Sequence, residues 1–376
     1  MTDRRATNIA VGFAVAIAFY TGVRLPNAWS VTLQTTSLFD GFHRRFLVGT
    51  VLKPFTALFG YHYAFYATLS FLILAALLAV LVLAVVRTRD LTPRLWIIVW
   101  LLLPMGGFVF NEVGYYEQLL YLMLFGAIAL VHRGRIVAAT VLMSFTPMIH
   151  EIAILTVLPL FGLVLFRNVT FKRAAIATAI PAVINMIVLL IPASAPGSVE
   201  HLGATLAAAQ LPYRSDALDL FNRTQHDTWA IYKVHPVVRY VRPAAELMLL
   251  LFGALWWTGR GSWLRASDKH RELLVWIVST AAIAVPSLLV YGGWDGNRWL
   301  TLVLSNFFFV VYLTLVYRGS EPRPVSIVPL VIAALLIARA DIWYFDRLAP
   351  RPLEYRAVSE FIRGIPDGSS FPTGKE

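Results

Sequence analysis

The chain is organised around the stretch TSLFDGFHRRFLVGTVLKP, residues 36–54. This stretch sets an acid, an imidazole and two guanidinium groups within six positions, among Phe and Leu: Asp40, His43, Arg44 and Arg45. A charge at the bilayer centre costs roughly 2.5–3.5 kcal/mol on insertion scales, so charges near a membrane usually face a cavity or a polar ligand. We therefore predict an active site here, at the outer membrane face. The alternative is that the arginines anchor lipid headgroups and Asp40 is merely their partner.

The composition predicts an all-α, polytopic membrane protein. The 376-residue chain is 58% hydrophobic and only 14% charged, whereas soluble domains have about 25% charged residues. Its apolar blocks have the length that crosses a bilayer as a helix. About eleven spans are predicted, near residues 7–25, 62–86, 94–110, 116–131, 135–149, 152–166, 173–192, 243–257, 273–291, 298–317 and 325–340.

The charges of the short loops predict the orientation. Sixteen of the 32 Lys and Arg residues, but only five of the 21 acids, fall in loops on one side. Cytoplasmic loops are the ones enriched in Lys and Arg, so the N-terminus is predicted inside and the C-terminus outside. The net charge of +11 is then a topology signal, and nucleic-acid binding is not expected. The absence of cysteine excludes disulfides, thiolate catalysis and Cys-based metal sites.

The domain organisation follows from these spans. Residues 1–340 are predicted to form a transmembrane domain with two long outer loops, 26–61 and 193–242, and residues 341–376 an extracytoplasmic tail. The first loop is amphipathic and is predicted to lie along the interface as a helix. The apolar N-terminal run is interpreted as a retained first helix rather than a cleaved signal peptide. Basic segments flank both ends of spans five and six, so these spans are predicted to form a hairpin that turns at 147–151.

Polar groups recur wherever a predicted span reaches the outer surface. Beyond the first stretch they are Glu112, Tyr115, Tyr116 and Glu117 after the third span, His150 and Glu151 at the hairpin, and Asp295, Asn297 and Arg298 after the ninth span. Each group also has a simpler interpretation, as a solvated acid, a helix cap, a local ion pair or an aromatic belt. Their recurrence at one depth favours a shared site.

This set of residues suits transfer of a sugar from a polyprenyl-phosphate carrier. The leaving phosphate needs positive charge more than a proton, and the planar fork of arginine binds phosphate oxygens bidentately. The acceptor hydroxyl does need a base, and a carboxylate within hydrogen-bond reach can take its proton. One acid and an arginine clamp are the minimal machinery for a direct displacement that inverts the anomeric carbon.

The chain resembles the GT-C superfamily of membrane glycosyltransferases, because an acid stands in the first outer loop of an 11-span, N-in and C-out chain. The resemblance implies that Asp40 is the catalytic base and that Glu112 or Glu117 is a second acidic motif. The run FHRRFLVG, residues 42–49, also resembles an RRGL-like segment of bacterial multispanning proteins, in which residues 150–151 and 295–299 look like companion motifs. Asp40 has no acidic neighbour, so the need for a divalent cation (Mg or Mn) stays open, and no other cofactor is required.

The expected site divides into two sets. The expected catalytic residues are Asp40, Glu112, Glu117, His150 and Glu151. The expected substrate-binding residues are His43, Arg44, Arg45, Tyr115, Tyr116, Asp295, Asn297 and Arg298. Apart from the base, the acids and His150 are expected to orient the acceptor, hold a cation or fix the arginines.

The expected partners are the lipid-linked sugar donor, a glycan or glycolipid acceptor and membrane lipid. The expected location is the bacterial inner membrane, with the active face periplasmic. Three other functions are open. One is an O-antigen polymerase or ligase-like enzyme that uses lipid-diphosphate glycans. Another is a lipid or solute transporter, which predicts broken helices or ionisable groups near mid-membrane. The third is a structural or assembly membrane protein, which would need no outer cleft.

Overall fold

The structure is a computed structural model, in which every regular element of the described residues is helical. It describes residues 2–41, 43–191, 197–222, 227, 248–249, 251–258, 268–291, 295–317, 330–331, 334–335, 344 and 349–364. Most of the predicted eleventh span, parts of the predicted eighth span and outer loop 193–242, and most of the predicted tail therefore lie outside the described residues.

Two compact units divide the chain. The first contains residues 1–23, 78–111 and 235–370, and the second contains residues 24–77, 112–234 and 371–376.

The described part of the first unit is built mainly from the following helices. They are α1 (Thr2–Gly22), the end of α4 (Tyr63–Arg87), α5 (Leu91–Leu102), α6 (Pro104–Asn111), α14 (Lys269–Ala284), α15 (Gly296–Tyr317) and α16 (Tyr355–Gly364). Those of the second unit begin with α2 (Ala28–Thr35), α3 (Leu47–Phe59) and the start of α4. They continue with α7 (Tyr116–His132), α8 (Ile136–Ser144), α9 (Thr146–Ile149), α10 (Val157–Asn168), α11 (Phe171–Leu189), α12 (Ser198–Ala208) and α13 (Ser215–Asp219).

Several helices have the length and hydropathy of membrane spans. Five of them in the described part meet both criteria, and the α5–α6 pair, bent by 59°, makes six if it counts as one span. The five are Tyr63–Arg87, Glu151–Asn168, Phe171–Leu189, Lys269–Leu289 and Gly296–Tyr317. This finding supports a multi-pass helical membrane protein.

Aromatic packing forms the core of the first unit. Trp96 of α5 meets Phe307 and Phe308 of α15 edge to face, with ring centroids 5.6 and 5.1 Å apart. One turn further along α5, the indole nitrogen of Trp100 donates to Ser305 Oγ over 3.1 Å. These positions recur at helical spacing, so α5 packs one face against α15 along its length.

A bend between α5 and α6 replaces the single helix predicted over 94–110. α5 ends at Leu102 and α6 begins at Pro104, since proline cannot donate the hydrogen bond that would continue the helix. Gly106 is needed directly after the bend, because a Cβ there would lie 1.9 Å from the carbonyl oxygen of Leu101. Gly22 of α1 makes a similar approach, where a Cβ would lie 1.8 Å from the carbonyl oxygen of Gly107.

Four helices of the second unit, α7, α8, α10 and α11, pack against one another. The chain leaves the helical conformation at His150, whose φ and ψ of −158° and 128° are extended, between the end of α9 and a 3₁₀ turn that begins at Glu151. The break falls within the predicted turn at 147–151.

The predicted loop 26–61 contains two helices, α2 and α3, joined by the 3₁₀ turn Leu38–Asp40. α2 is held by two hydrogen bonds: the Tyr116 hydroxyl of α7 donates to the carbonyl of Leu33 over 2.6 Å, and the Gln34 side chain of α2 donates to the backbone carbonyl of Gly114, just before α7, over 2.8 Å. α3 packs closely on the end of α2, since a Cβ on Gly49 would lie 2.0 Å from the carbonyl oxygen of Thr36. These contacts position the segment that carries the candidate site.

Candidate functional site

Asp40 stands at the end of the 3₁₀ turn that joins α2 to α3. Its Oδ2 accepts hydrogen bonds from the backbone nitrogen of Ser37 (2.9 Å) and from Ser37 Oγ (2.6 Å). Two donors on one carboxylate oxygen fix the orientation of the group. The side chain is 12% exposed, so the carboxylate is oriented and still reached by solvent.

Lys53 of α3 is the cation beside Asp40. Its Nζ lies 3.6 Å from Asp40 Oδ1, which is longer than a hydrogen bond, and donates to the hydroxyl of Tyr61 over 3.0 Å. Burial lowers the pKa of Lys53, but the Tyr61 hydrogen bond and the Asp40 charge outweigh burial and raise this pKa above its ordinary value. Asp40 is therefore paired with Lys53 rather than with Arg44 or Arg45.

A largely buried ion pair links Arg45, which is 17% exposed, to the buried Glu151. Nε of Arg45 lies 3.2 and 2.9 Å from the two carboxylate oxygens, and Nη2 lies 2.5 Å from Oε1. Arg45 holds a left-handed backbone with φ of 62°, a conformation uncommon for a residue with a long side chain. Glu151 thus occupies the guanidinium fork that was predicted to bind a carrier phosphate.

His150 and Arg44 complete the group around Glu151. Nδ1 of His150 lies 3.1 Å from Glu151 Oε2 and 3.4 Å from the backbone nitrogen of Ile152. Nη1 of Arg44 lies 3.9 Å from Glu151 Oε1, and its Nη2 donates to the carbonyl of Leu220 over 3.5 Å. Two predicted segments, 43–45 and 150–151, therefore meet in the second unit.

His43 is buried against the backbone that carries Asp40. Its two ring nitrogens lie 2.7 Å from the carbonyl oxygen of Arg44 and 3.1 Å from that of Ser37. A neutral imidazole has one N–H and can donate to only one of them. Burial lowers the pKa of His43, although both carbonyls and Asp40 act in the opposite direction. His43 therefore braces the turn and does not face an open site.

The second predicted outer loop lies against the same region. Tyr116 stacks edge to face on His150 with ring centroids 6.1 Å apart, and the charge of Glu117 acts on His150. Tyr115 accepts a hydrogen bond from Asn27 over 3.2 Å. Glu112 and Glu117 are both buried, so they are not the solvated loop acids of the simpler interpretation.

Asp295, Asn297 and Arg298 belong to the first unit. Arg298 Nη1 lies 3.4 Å from Asp295 Oδ2, three positions earlier. The Asn297 carbonyl accepts a hydrogen bond from Thr301, one turn along α15. The contact between Arg298 and Asp295 is the local ion pair of the simpler interpretation.

Metal ions in proteins are held by several converging side chains. In the described part of the chain, no three His, Asp or Glu side chains gather where they could hold a metal ion. The carboxylate of Asp40 lies beside Lys53, and that of Glu151 is paired with Arg45.

The sequence reasoning missed Lys53, Tyr61 and Tyr66. Tyr66 is fully buried, and its hydroxyl has no hydrogen-bond partner among the described residues. The same hydroxyl interacts electrostatically with Asp40, Tyr61 and Tyr116. One sequence signal was available, because Lys53 is the single charged residue in the apolar helix 47–59.

Comparison with known proteins adds no relative. No family model matches the chain, and neither does any curated protein or solved structure.

Proposed function

We propose that this chain is a membrane glycosyltransferase of the GT-C type, which moves a sugar from a polyprenyl-phosphate carrier to an extracytoplasmic glycan or lipid. The observation that carries the proposal is the environment of Asp40. Its carboxylate is oriented by Ser37, lies beside Lys53 and adjoins Phe39, whose side chain is 73% exposed. Transfer from a lipid-linked donor requires a base for the acceptor hydroxyl, a cation for the leaving phosphate and an apolar surface for the lipid chain.

The reaction follows from these parts. The acceptor hydroxyl transfers its proton to Asp40 as its oxygen bonds to the anomeric carbon. The bond from that carbon to the carrier phosphate breaks, and both electrons leave with the phosphate. Positive charge stabilises the departing phosphate. A single displacement of this kind inverts the anomeric configuration.

The remaining residues support this centre. Glu151 fixes Arg45, and His150 packs on Tyr116. Arg44, whose Nη2 reaches the carbonyl of Leu220, connects the turn to the chain after α13. We place the site on the periplasmic face of a bacterial inner membrane, in an eleven-span chain with its N-terminus inside. A divalent cation, Mg or Mn, could assist the transfer and is included in the assay below.

The proposal is tested by transfer from synthetic donors. Purified protein in nanodiscs is given hexosyl and pentosyl polyprenyl phosphates with cell-envelope glycans as acceptors. We expect transfer by the wild type, none by Asp40→Asn, and wild-type rates for Asp216→Asn, which removes an exposed acid paired with Arg214. Transfer by a correctly folded Asp40→Asn protein removes Asp40 as the base. Turnover of lipid-diphosphate donors alone assigns the protein to the polymerase or ligase class.

A transporter is the second candidate, and the bend between α5 and α6 favours it. Broken helices line the substrate sites of many transporters, and this pair turns by 59° at Leu103. Flux of a labelled lipid-linked sugar across proteoliposomes distinguishes the two functions. Flux that persists in Asp40→Asn, without any transfer, assigns transport.

A further inference from the structure

The short helix α16 separates charged from apolar side chains around its axis. Its charged residues Arg356, Glu360 and Arg363 follow one another at intervals of four and three, so they share one face. Arg356 donates to Glu360 over 2.9 Å on this face. Tyr355 and Ile362 lie about 100° further round the helix and are 89% and 58% exposed. α16 is therefore amphipathic, and part of its apolar surface is left open by the described residues.

The segment that contains α16 is fixed to the end of α1. Just before the helix, Arg351 donates to the carbonyls of Tyr20 over 2.6 Å and of Val23 over 2.8 Å. These carbonyls lie at the C-terminal end of α1, where the helix dipole favours a cation. The ring of Phe361 in α16 meets that of Tyr20 edge to face, with centroids 5.3 Å apart. Arg351 and Phe361 thus hold α16 against the last turn of α1.

α1 indicates where the membrane surface lies. Its exposed side chains Ile9 and Phe13 lie at helical spacing on the same face as Tyr20, and the exposed Arg4 and Arg5 precede them. In a multi-pass membrane protein an exposed apolar face of this kind meets hydrocarbon. The 21 residues of α1 give a length of about 31 Å, close to the hydrocarbon thickness of about 30 Å. Tyr20 and the attached α16 therefore lie near a membrane–water boundary.

The side chains of α16 fit this boundary better than water or hydrocarbon alone. Three charges in ten residues make immersion in hydrocarbon costly. Full exposure to water would leave Tyr355, Ile362 and the preceding Leu353, which is 61% exposed, with no apolar surroundings. Amphipathic helices of this kind lie in the plane of the interface, and tyrosine is enriched at headgroup depth.

We propose that α16 lies in the phospholipid headgroup region of the leaflet at the C-terminal end of α1, with Leu353, Tyr355 and Ile362 inserted toward the acyl chains. The charged face of the helix then points to water, and Arg351 sets the position of the helix along the surface. The partner of this surface is a phospholipid layer. The inference does not depend on glycosyl transfer, and it makes part of the predicted extracytoplasmic tail a membrane-bound segment.

The absence of cysteine from the chain allows a direct test of depth. A single introduced cysteine carries the only spin label, and the labelled protein is studied in phosphatidylcholine nanodiscs. The label's accessibility is measured to oxygen, which concentrates in hydrocarbon, and to a nickel chelate, which stays in water. Ile362→Cys is compared with Arg363→Cys, its exposed neighbour on the charged face. We expect the ratio of oxygen to nickel accessibility to be severalfold higher at position 362.

A second matched pair and an anchor variant extend the test. Tyr355→Cys should likewise give a severalfold higher ratio than Arg356→Cys. In the protein labelled at position 362, Arg351→Gln should make the label more mobile, because α16 loses its two bonds to the carbonyls of α1. Arg356→Gln is the control, since it removes only an exposed ion pair. The melting temperature of each labelled protein shows that it is folded.

Two outcomes overturn the inference. Equal ratios at positions 362 and 363 in folded proteins would show that the helix lies in water. A label at position 362 that neither oxygen nor the nickel chelate reaches would show that protein, such as a second copy of the chain, covers the apolar side. An unchanged label mobility in the Arg351→Gln protein would overturn the assignment of Arg351 as the anchor. The sugar-transfer assay is unaffected by any of these results and decides the proposed function separately.

Discussion

The guanidinium group of Arg45 holds both carboxylate oxygens of Glu151 from a backbone with φ of 62°. The two residues are 106 positions apart, and one precedes α3 while the other follows α9. Their pairing therefore fixes the turn after Asp40 to the break at His150. Because Glu151 is buried and Arg45 is only 17% exposed, loss of one partner leaves the other as a poorly solvated charge.

Glu151→Gln should destabilise the protein by about 2 kcal/mol or more, below the ~3–5 kcal/mol for breaking a fully buried ion pair, because the remaining Arg45 is partly exposed. The measurement is the free energy of unfolding in detergent. Asp216→Asn is the control, because its pair with Arg214 is exposed and should contribute about 1 kcal/mol or less. Equal effects of the two substitutions would show that the Arg45–Glu151 pair does not hold the turn.

Gly22→Ala should lower the melting temperature, whereas Gly12→Ala in the same helix should leave it unchanged or raise it. An added Cβ at Gly22 meets the carbonyl of Gly107 at 1.8 Å and forces α1 away from α6, while nothing lies within 4 Å of the Cβ position at Gly12. We expect a loss of about 1–3 kcal/mol at Gly22, as for other overpacked sites. Matching melting curves for the two variants would contradict the close approach of these helices.

Tyr66→Phe should leave stability unchanged or increase it, because it removes a buried hydroxyl that has no partner among the described residues. Leaving such a group unsatisfied costs about 1–3 kcal/mol. If the hydroxyl binds the acceptor beside Asp40, the same variant should raise the KM for the acceptor. Thermal unfolding and transfer kinetics are measured on the same preparation, and a loss of stability would show that the hydroxyl is bonded in the native protein.

Acid should destabilise the turn through His43. The pKa of His43 is lowered in the folded protein from its ordinary value of 6.5, so the unfolded chain binds the proton first. Stability from this group is complete above about pH 6.5 and is lost as the pH falls toward the folded pKa. His43→Gln should make the free energy of unfolding depend less on pH between pH 7 and 5. His132 and His150 are present in both proteins, so their contribution to the pH dependence cancels in the comparison. A profile unaltered by the substitution would contradict the buried, neutral state of His43.

Much of the helical framework is predictable from hydropathy alone. The span predicted over 62–86 corresponds to α4, Tyr63–Arg87, and that over 298–317 corresponds to α15, Gly296–Tyr317. Long apolar runs leave the backbone no other way to satisfy its hydrogen bonds in lipid. The number of eleven spans and their orientation stay predictions.

The details of the site were less predictable. The sequence suggests the adjacent arginines as partners of Asp40, but the turn brings Lys53, 13 positions later, to the carboxylate instead. The bend at Leu103 was also missed, because a proline in a membrane helix is often accommodated without a break. Both depend on backbone contacts, at Gly49 and at Gly106, that hydropathy does not encode.

The shortness of α3 has a consequence for the membrane around it. A 13-residue helix is about 20 Å long at 1.5 Å per residue, so if its exposed apolar side chains meet lipid they do so over only part of a hydrocarbon core of about 30 Å. Since Gly49 lets α3 touch the end of α2 directly, any change in lipid packing is transmitted to the turn that carries Asp40. Bilayer thickness and curvature are therefore expected to act on this protein as effectors.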